Sequence, residues 1–247
     1  MTRTGMDGER GLRCAVLGAS GGIGGALVRQ LAGRDDVAQV HAGARSGAVP
    51  PGDKVSPFRF DLTDEASIAA AARAIGGPLD LVIVATGILH RADGSGPEKS
   101  YRALDGAAMA ELYAVHAIGP ALVARHFLPL LARDRRAVFA VLSARVGSIS
   151  DNRLGGWHSY RAAKAELNML VRNFAIETAR SHPSAVVAAL HPGTVDTALS
   201  RPFQSNVAPG KLFTAETSAA HLLTVLDGLS PAQSGRHFAW DGAEIPG

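Results

Sequence analysis

The chain of 247 residues carries 25 Lys and Arg against 22 Asp and Glu, a formal charge of +3, and 47% of its residues are hydrophobic. That is enough for one sizeable core, and α/β sheets of this length routinely form one domain. The basic residues are scattered, and the densest group, Arg133, Arg135 and Arg136, is interrupted by Asp134 where a helix should end, so the charge pattern argues against nucleic acid as a partner. The single cysteine, Cys14, excludes an internal disulfide and fits a reducing, cytoplasmic setting. No stretch reaches the ~18 continuous apolar residues of a membrane span, so no membrane is expected as a partner.

Residues Met1 to Gly11 lack an apolar stretch and read as a flexible tail, with a single domain over 12–247. The first strand spans Leu12 to Leu17, and a glycine-rich turn leads into a helix from Ile23 to Leu31. Strands at Val37 to Ala42 and Ser56 to Phe60 precede a helix at Glu65 to Ile75, and another strand runs from Leu79 to Val84. One long helix is expected over Gly106 to Leu131, then a strand at Ala137 to Leu142 and a helix at Trp157 to Ala179. Strands at Ala185 to Leu190 and His237 to Trp240 flank a last helix at Ala215 to Leu226.

Short apolar strands alternating with amphipathic helices predict an α/β fold, a doubly wound, mostly parallel sheet of about seven strands with helices on both faces. No internal repeat or boundary interrupts it. The long connections Ile88 to Arg102, Ser143 to Gly156 and Thr194 to Thr214 follow the carboxyl ends of strands, the edge at which open α/β sheets bind ligands.

The turn Gly18-Ala19-Ser20-Gly21-Gly22-Ile23-Gly24 lies between a strand and a helix, the context of a dinucleotide-binding turn. Missing side chains let the backbone approach a pyrophosphate, and the free amides at the helix start favour the anion. After the second strand stands Ala44-Arg45-Ser46 with no carboxylate nearby. Arg45 therefore suits a ribose 2′-phosphate, favouring NADP(H) over NAD(H), or is a surface arginine without a ligand. Asp61, followed by Leu62, either receives the adenine amino group or starts a turn with Thr63 and Asp64 as capping candidates. Tyr160 and Lys164, four apart on a helix, share one face, so the ammonium can lower a phenol pKa ordinarily about 10 and make Tyr160 a general acid/base.

On these residues the chain resembles the short-chain dehydrogenase/reductase superfamily over about residues 12–242. Gly18, Gly22 and Gly24 match its glycine motif with Leu17 in place of a threonine, Asp61 its adenine contact, and Tyr160 with Lys164 its catalytic pair. His191-Pro192-Gly193-Thr194-Val195-Asp196-Thr197 resembles the segment that binds the nicotinamide carboxamide. Ser143-Ala144-Arg145-Val146-Gly147-Ser148-Ile149 and Gly155-Gly156-Trp157 are similar to the branch containing C-factor and the carbonyl reductase Sniffer.

The resemblance implies a Rossmann-type fold with strand order 3-2-1-4-5-6-7 and a homodimer or homotetramer built on paired long helices. It also implies hydride exchange with a small carbonyl or alcohol substrate. Three departures stand out. Ala85-Thr86-Gly87 replaces Asn-Ala-Gly at the cofactor, and His116 falls where a helical asparagine holds a relay water. The histidine's carbonyl can still bind that water, or the residue belongs to the core or an interface. Ala144 falls where a serine would bond the reacting carbonyl, leaving Ser143, if the strand end twists, or Ser148 as substitutes.

These departures keep a second reading open, a dinucleotide-binding signalling or regulatory protein with little catalysis. In the last long connection, Phe203, Pro209 and Phe213 either form a hydrophobic lid or pack on the following helix. His90, His158 and His191 have no metal-binding spacing, and no metal is expected.

Overall fold

The computed structural model describes residues 11–45, 48–91, 94–206, 208 and 210–247; the expected tail lies, apart from Gly11, outside them. Strands β1 (Leu12–Leu17), β2 (Val37–Ala44), β3 (Val55–Arg59), β4 (Leu81–Val84), β5 (Ala137–Leu142), β6 (Ala185–His191) and β9 (Arg236–Ala239) form one sheet in the order β3-β2-β1-β4-β5-β6-β9. Every neighbouring pair in it is parallel. With β9 as the seventh strand this is the expected order. A separate two-stranded ladder joins β7 (Thr194–Val195) to β8 (Leu212–Phe213).

Alternation along each strand sends side chains to both faces. Cys14 and Val16 point with Val40, Ile83, Val138 and Val186 toward α1 (Gly22–Ala32) and α6 (Ala215–Gly228), where Leu27, Leu31, Leu222 and Leu226 complete one core. Ala15 and Leu17 point with Val82, Val84, Phe139 and Val187 toward α2 (Glu65–Ile75), α4 (Gly119–Phe127) and α5 (His158–Thr178), meeting Ile68, Phe127, Leu167 and Val171. Both faces are covered, which is why the strands read as unbroken apolar runs rather than alternating ones. Each fully buried large side chain, Phe139 and Leu27 among them, contributes roughly 1.5–3 kcal/mol. The Cys14 thiol is fully buried, and burial pushes it up to about 12, so it is an inert core group.

The helix expected over Gly106 to Leu131 is four segments. α3 (Gly106–Tyr113) passes into a π-helical turn at Ala114–Ile118, then α4, then a 3-10 turn at Leu128–Leu130. Pro120 supplies the reason. It has no N–H to return to the His116 carbonyl four residues earlier, and its ring would strike that carbonyl, so the helix widens ahead of it. The Gly119 amide accordingly bonds Ala114 O, five residues back. By length and composition the run Gly106–Leu130 is apolar enough to cross a membrane, although Glu111, His116, Arg125 and His126 interrupt it, so it is not a continuous apolar stretch. Its residues Leu112, His116, Val123 and Phe127 are nevertheless buried inside the fold.

Candidate active site

At β1 and β4 the chain reverses its direction of travel across the sheet, and a cavity of about 200 Å³ opens there at the carboxyl ends of the strands. Gly18, Ser20, Gly21, Arg45, Asp61, Leu62, Thr63, Ala85, Thr86, Gly87, Ile88 and Val115 are among its lining. Eight of the residues expected to hold a dinucleotide therefore meet in one place: Gly18, Ser20, Arg45, Asp61, Leu62, Ala85, Thr86 and Gly87. Gly21 belongs to the expected glycine turn; Thr63, Ile88 and Val115 were not anticipated as lining, though Thr63 and Ile88 adjoin residues that were.

The glycines of the turn are needed for space. Gly18 has φ +97°, and a Cβ there would stand 2.8 Å from the Ala85 carbonyl, while one at Gly24 would stand 2.1 Å from Gly18 O. Backbone thus packs on backbone where α1 begins. The helix starts without a side-chain cap or an acidic first turn, and its first intrahelical bond is from Gly25 N to Gly21 O. The amides of Gly22, Ile23 and Gly24, ahead of that bond, have no intrahelical partner, while the Ile23 side chain packs against the core.

Asp61 Oδ1 accepts from Thr63 N at 2.9 Å and Thr63 Oγ1 at 2.8 Å, bonds that hold its carboxyl below the ordinary range. The turn role expected for it is real, and Asp64 caps α2 by accepting from Ala66 N. Arg45 is exposed at the cavity edge.

The connection into α5 holds three consecutive left-handed residues, Gly155 (φ +63°), Gly156 (φ +67°) and Trp157 (φ +50°). Such a conformation in a tryptophan costs on the order of 1 kcal/mol or more. It is held by the bond from Trp157 N to Glu98 O and places the indole 6.1 Å from the Tyr160 ring. Tyr160 and Lys164 are both buried, with Lys164 Nζ 5.8 Å from the centre of the phenol ring and donating to Leu142 O at 2.8 Å. Gly147 makes room for Lys164, since a Cβ there would meet the lysine Cβ at 2.8 Å.

Burial lowers Lys164 to about 7 and raises the Tyr160 phenol above its ordinary value. Burial thus opposes the effect expected of the ammonium, and Nζ donates to a backbone carbonyl.

Ser143 is buried, but its hydroxyl donates to Asn168 Oδ1 at 2.8 Å, and Asn168 Nδ2 lies 3.5 Å from His237 Nδ1. Its proton is thus spent on Asn168. Ser148 accepts from Asp151 N at 3.1 Å. Ala144 packs with Val146, Trp157, Ile88, Leu89, Leu112 and Leu199 in the apolar cluster around Tyr160. Of the segment after β6, a Cβ at Gly22 would meet Thr197 Cγ2 at 2.7 Å, so Thr197 faces the glycine turn. Pro192 O accepts from Ser218, Val195 O accepts from Ser200, and Gly193 (φ +78°) lies under Phe213 and Trp240.

Phe213 packs edge-on against Trp240, 4.7 Å away, and His221 of α6, so it belongs to the helix packing rather than to a lid; the Phe203 side chain and Pro209 lie outside the described residues. Among the described residues no three metal-binding side chains converge.

Residues 13–208 match the short chain dehydrogenase family, and the chain belongs to this family of oxidoreductases. It is 34% identical to the C-signal of Myxococcus xanthus over 72% of this chain and 98% of that protein. It is also 32% identical to the 1-hydroxy-2-glutathionyl-2-methyl-3-butene dehydrogenase of Rhodococcus sp. strain AD45, over 92% and 96% of the two chains. Among solved structures, the NADPH-bound carbonyl reductase from chicken fatty liver superposes with a TM-score of 0.81 at 27% identity, covering 96% of this chain and 95% of that one.

Proposed function

We propose that the chain is an NADP(H)-dependent oxidoreductase that interconverts a small carbonyl compound and its alcohol, with Tyr160 as general acid/base. One observation carries this reading: an uncapped helix start, a cavity edged by Arg45 and a buried Tyr160 and Lys164 lie along the carboxyl edge of one sheet. The residues fit a dinucleotide. The glycine turn leaves a cradle that a Cβ would fill, the first amides of α1 suit the pyrophosphate, and Arg45 suits a 2′-phosphate. Asp61 and Leu62 would flank the adenine, Ala85, Thr86 and Gly87 the adjoining ribose, and Pro192, Gly193, Val195 and Thr197 the carboxamide end. The NADPH bound by the chicken carbonyl reductase supports this choice of cofactor.

When bound, the nicotinamide supplies hydride to the carbonyl carbon or accepts it from the alcohol carbon. Tyr160 Oη donates the proton that the carbonyl oxygen takes up, and accepts it in the reverse direction. Burial keeps the phenol protonated at neutral pH, the form that reduction needs. Lys164, titrating at about 7, gives or takes a proton beside it and stabilises the phenolate left behind. With Ser143 committed to Asn168, Ser148 is the hydroxyl left to polarise the carbonyl. The apolar wall of Leu89, Ala144, Val146, Trp157 and Leu199 favours uncharged substrates with apolar flanks.

The reaction would run in the reducing cytoplasm, which cell fractionation tests. The exposed Ile118 of the helix bend and Met169 and Ile176 of α5 would join copies as a dimer or tetramer, which sedimentation reads directly. A second reading, a signalling protein with little turnover, draws on Ala144 and the likeness to C-signal. The deciding assay follows NADPH consumption over a panel of apolar aldehydes and ketones with wild type and Tyr160→Phe. The proposal expects turnover in wild type, lost by on the order of a thousandfold in the variant with dinucleotide affinity kept. Binding without turnover on any member favours the second reading.

A further inference from the structure

The π-helical turn turns His116 into the fold, where it is 1% exposed, between the cofactor cavity wall and Tyr160. Its ring stands edge-on to the phenol with centres 5.0 Å apart. Nε2 lies 2.6 Å from Ile88 O. A carbonyl can only accept, so Nε2 carries the hydrogen and Nδ1 presents a bare lone pair. Burial first and Lys164 second hold the ring well below its ordinary pKa, so it is neutral.

Two polar atoms in this wall lack a partner among the described residues: His116 Nδ1 and Thr86 Oγ1. Both border Gly87, which lines the cavity. A Cβ at Gly87 would stand 3.2 Å from His116 Cε1 and 3.8 Å from Nδ1, so the ring lies directly behind the backbone of a glycine that lines the cavity. An unpaired acceptor in a dry wall costs stability comparable to a lost hydrogen bond. Its retention beside Tyr160 makes sense if something bound there donates to it.

We propose that His116 is a cofactor-binding residue whose Nδ1 accepts a hydrogen bond from a hydroxyl or amide of the nicotinamide-proximal half of the dinucleotide. Its Nε2 bond to Ile88 O holds the ring for that contact. The inference rests on the NADP(H) reading above and adds to it a contact specific to this chain.

The two ring nitrogens can be tested separately. In His116→Gln the amide reaches Ile88 O as Nε2 does but leaves no acceptor at Nδ1. In His116→Asn the side-chain oxygen stands near the Nδ1 position and the Ile88 tie is lost. Fluorescence titration would give the affinity of each full-length variant for NADPH and for an adenosine bisphosphate fragment lacking the nicotinamide half. The proposal expects NADPH binding weakened roughly tenfold in His116→Gln and largely restored in His116→Asn, with fragment binding unchanged in both. Unchanged NADPH affinity in His116→Gln overturns it. An equal loss for the fragment also overturns it, by assigning His116 to the fold alone. Wild-type protein that binds neither probe removes the NADP(H) reading and this contact with it, whereas wild-type binding with an indifferent His116→Gln removes the contact alone.

Discussion

Replacing Lys164 by Met should make the protein more stable at pH 6 while removing its activity. Lys164 is 3% exposed, and burial takes its pKa from the ordinary 10.5 to about 7. At about 1.4 kcal/mol for each tenfold change in proton affinity, charging it in the folded state costs about 5 kcal/mol. The bond from Nζ to Leu142 O returns roughly 2 kcal/mol of that, leaving about 3. Below pH 7 the lysine is protonated in both folded and unfolded chains and the whole cost is present. Between about 7 and 10.5 only the unfolded chain holds the proton, so stability rises with pH; above 10.5 both forms are neutral and the cost is gone.

Methionine fills a similar volume without charge. For a chain of 247 residues, about 3 kcal/mol corresponds to a Tm roughly 6–12 °C higher at pH 6, with the gap to wild type closed by about pH 9, where wild type has regained about 3 kcal/mol. Thermal unfolding followed by circular dichroism across that range measures it. A gap independent of pH, or a variant less stable at pH 6, would refute the claim that Lys164 is held at an energetic cost.

Arg45→Ala should weaken NADPH binding by tenfold or more, as expected for a lost charge-assisted contact, and leave NADH binding alone; parallel titrations check both. Gly24→Ala puts a methyl 2.1 Å from Gly18 O and should cost on the order of 3 kcal/mol while abolishing dinucleotide binding. Calorimetry and titration of that one variant test the turn as both packing element and anion site.

Strand and helix positions were legible in the sequence because both sheet faces are covered: runs such as Ala137–Leu142 have no solvent side and read as strands without ambiguity. The bend at Ala114–Ile118 was less so, since apolar spacing alone continues through it, although Pro120 inside a helical pattern carried the signal. The glycine turn and the Tyr160 and Lys164 pair were legible because each depends on local spacing. That Ser143 spends its proton was not, because it depends on Asn168, twenty-five residues away, capturing it. The opposed pKa directions of Tyr160 and Lys164 were equally hidden, since burial is a property of the whole fold.

The central claim is that this cavity binds a nicotinamide dinucleotide, and titrating purified protein separately with NADPH and NADH, following nicotinamide fluorescence, tests it most directly. The account predicts binding in the micromolar range with NADPH preferred. A preference for NADH would contradict only the role given to Arg45, whereas no binding of either would contradict the oxidoreductase itself.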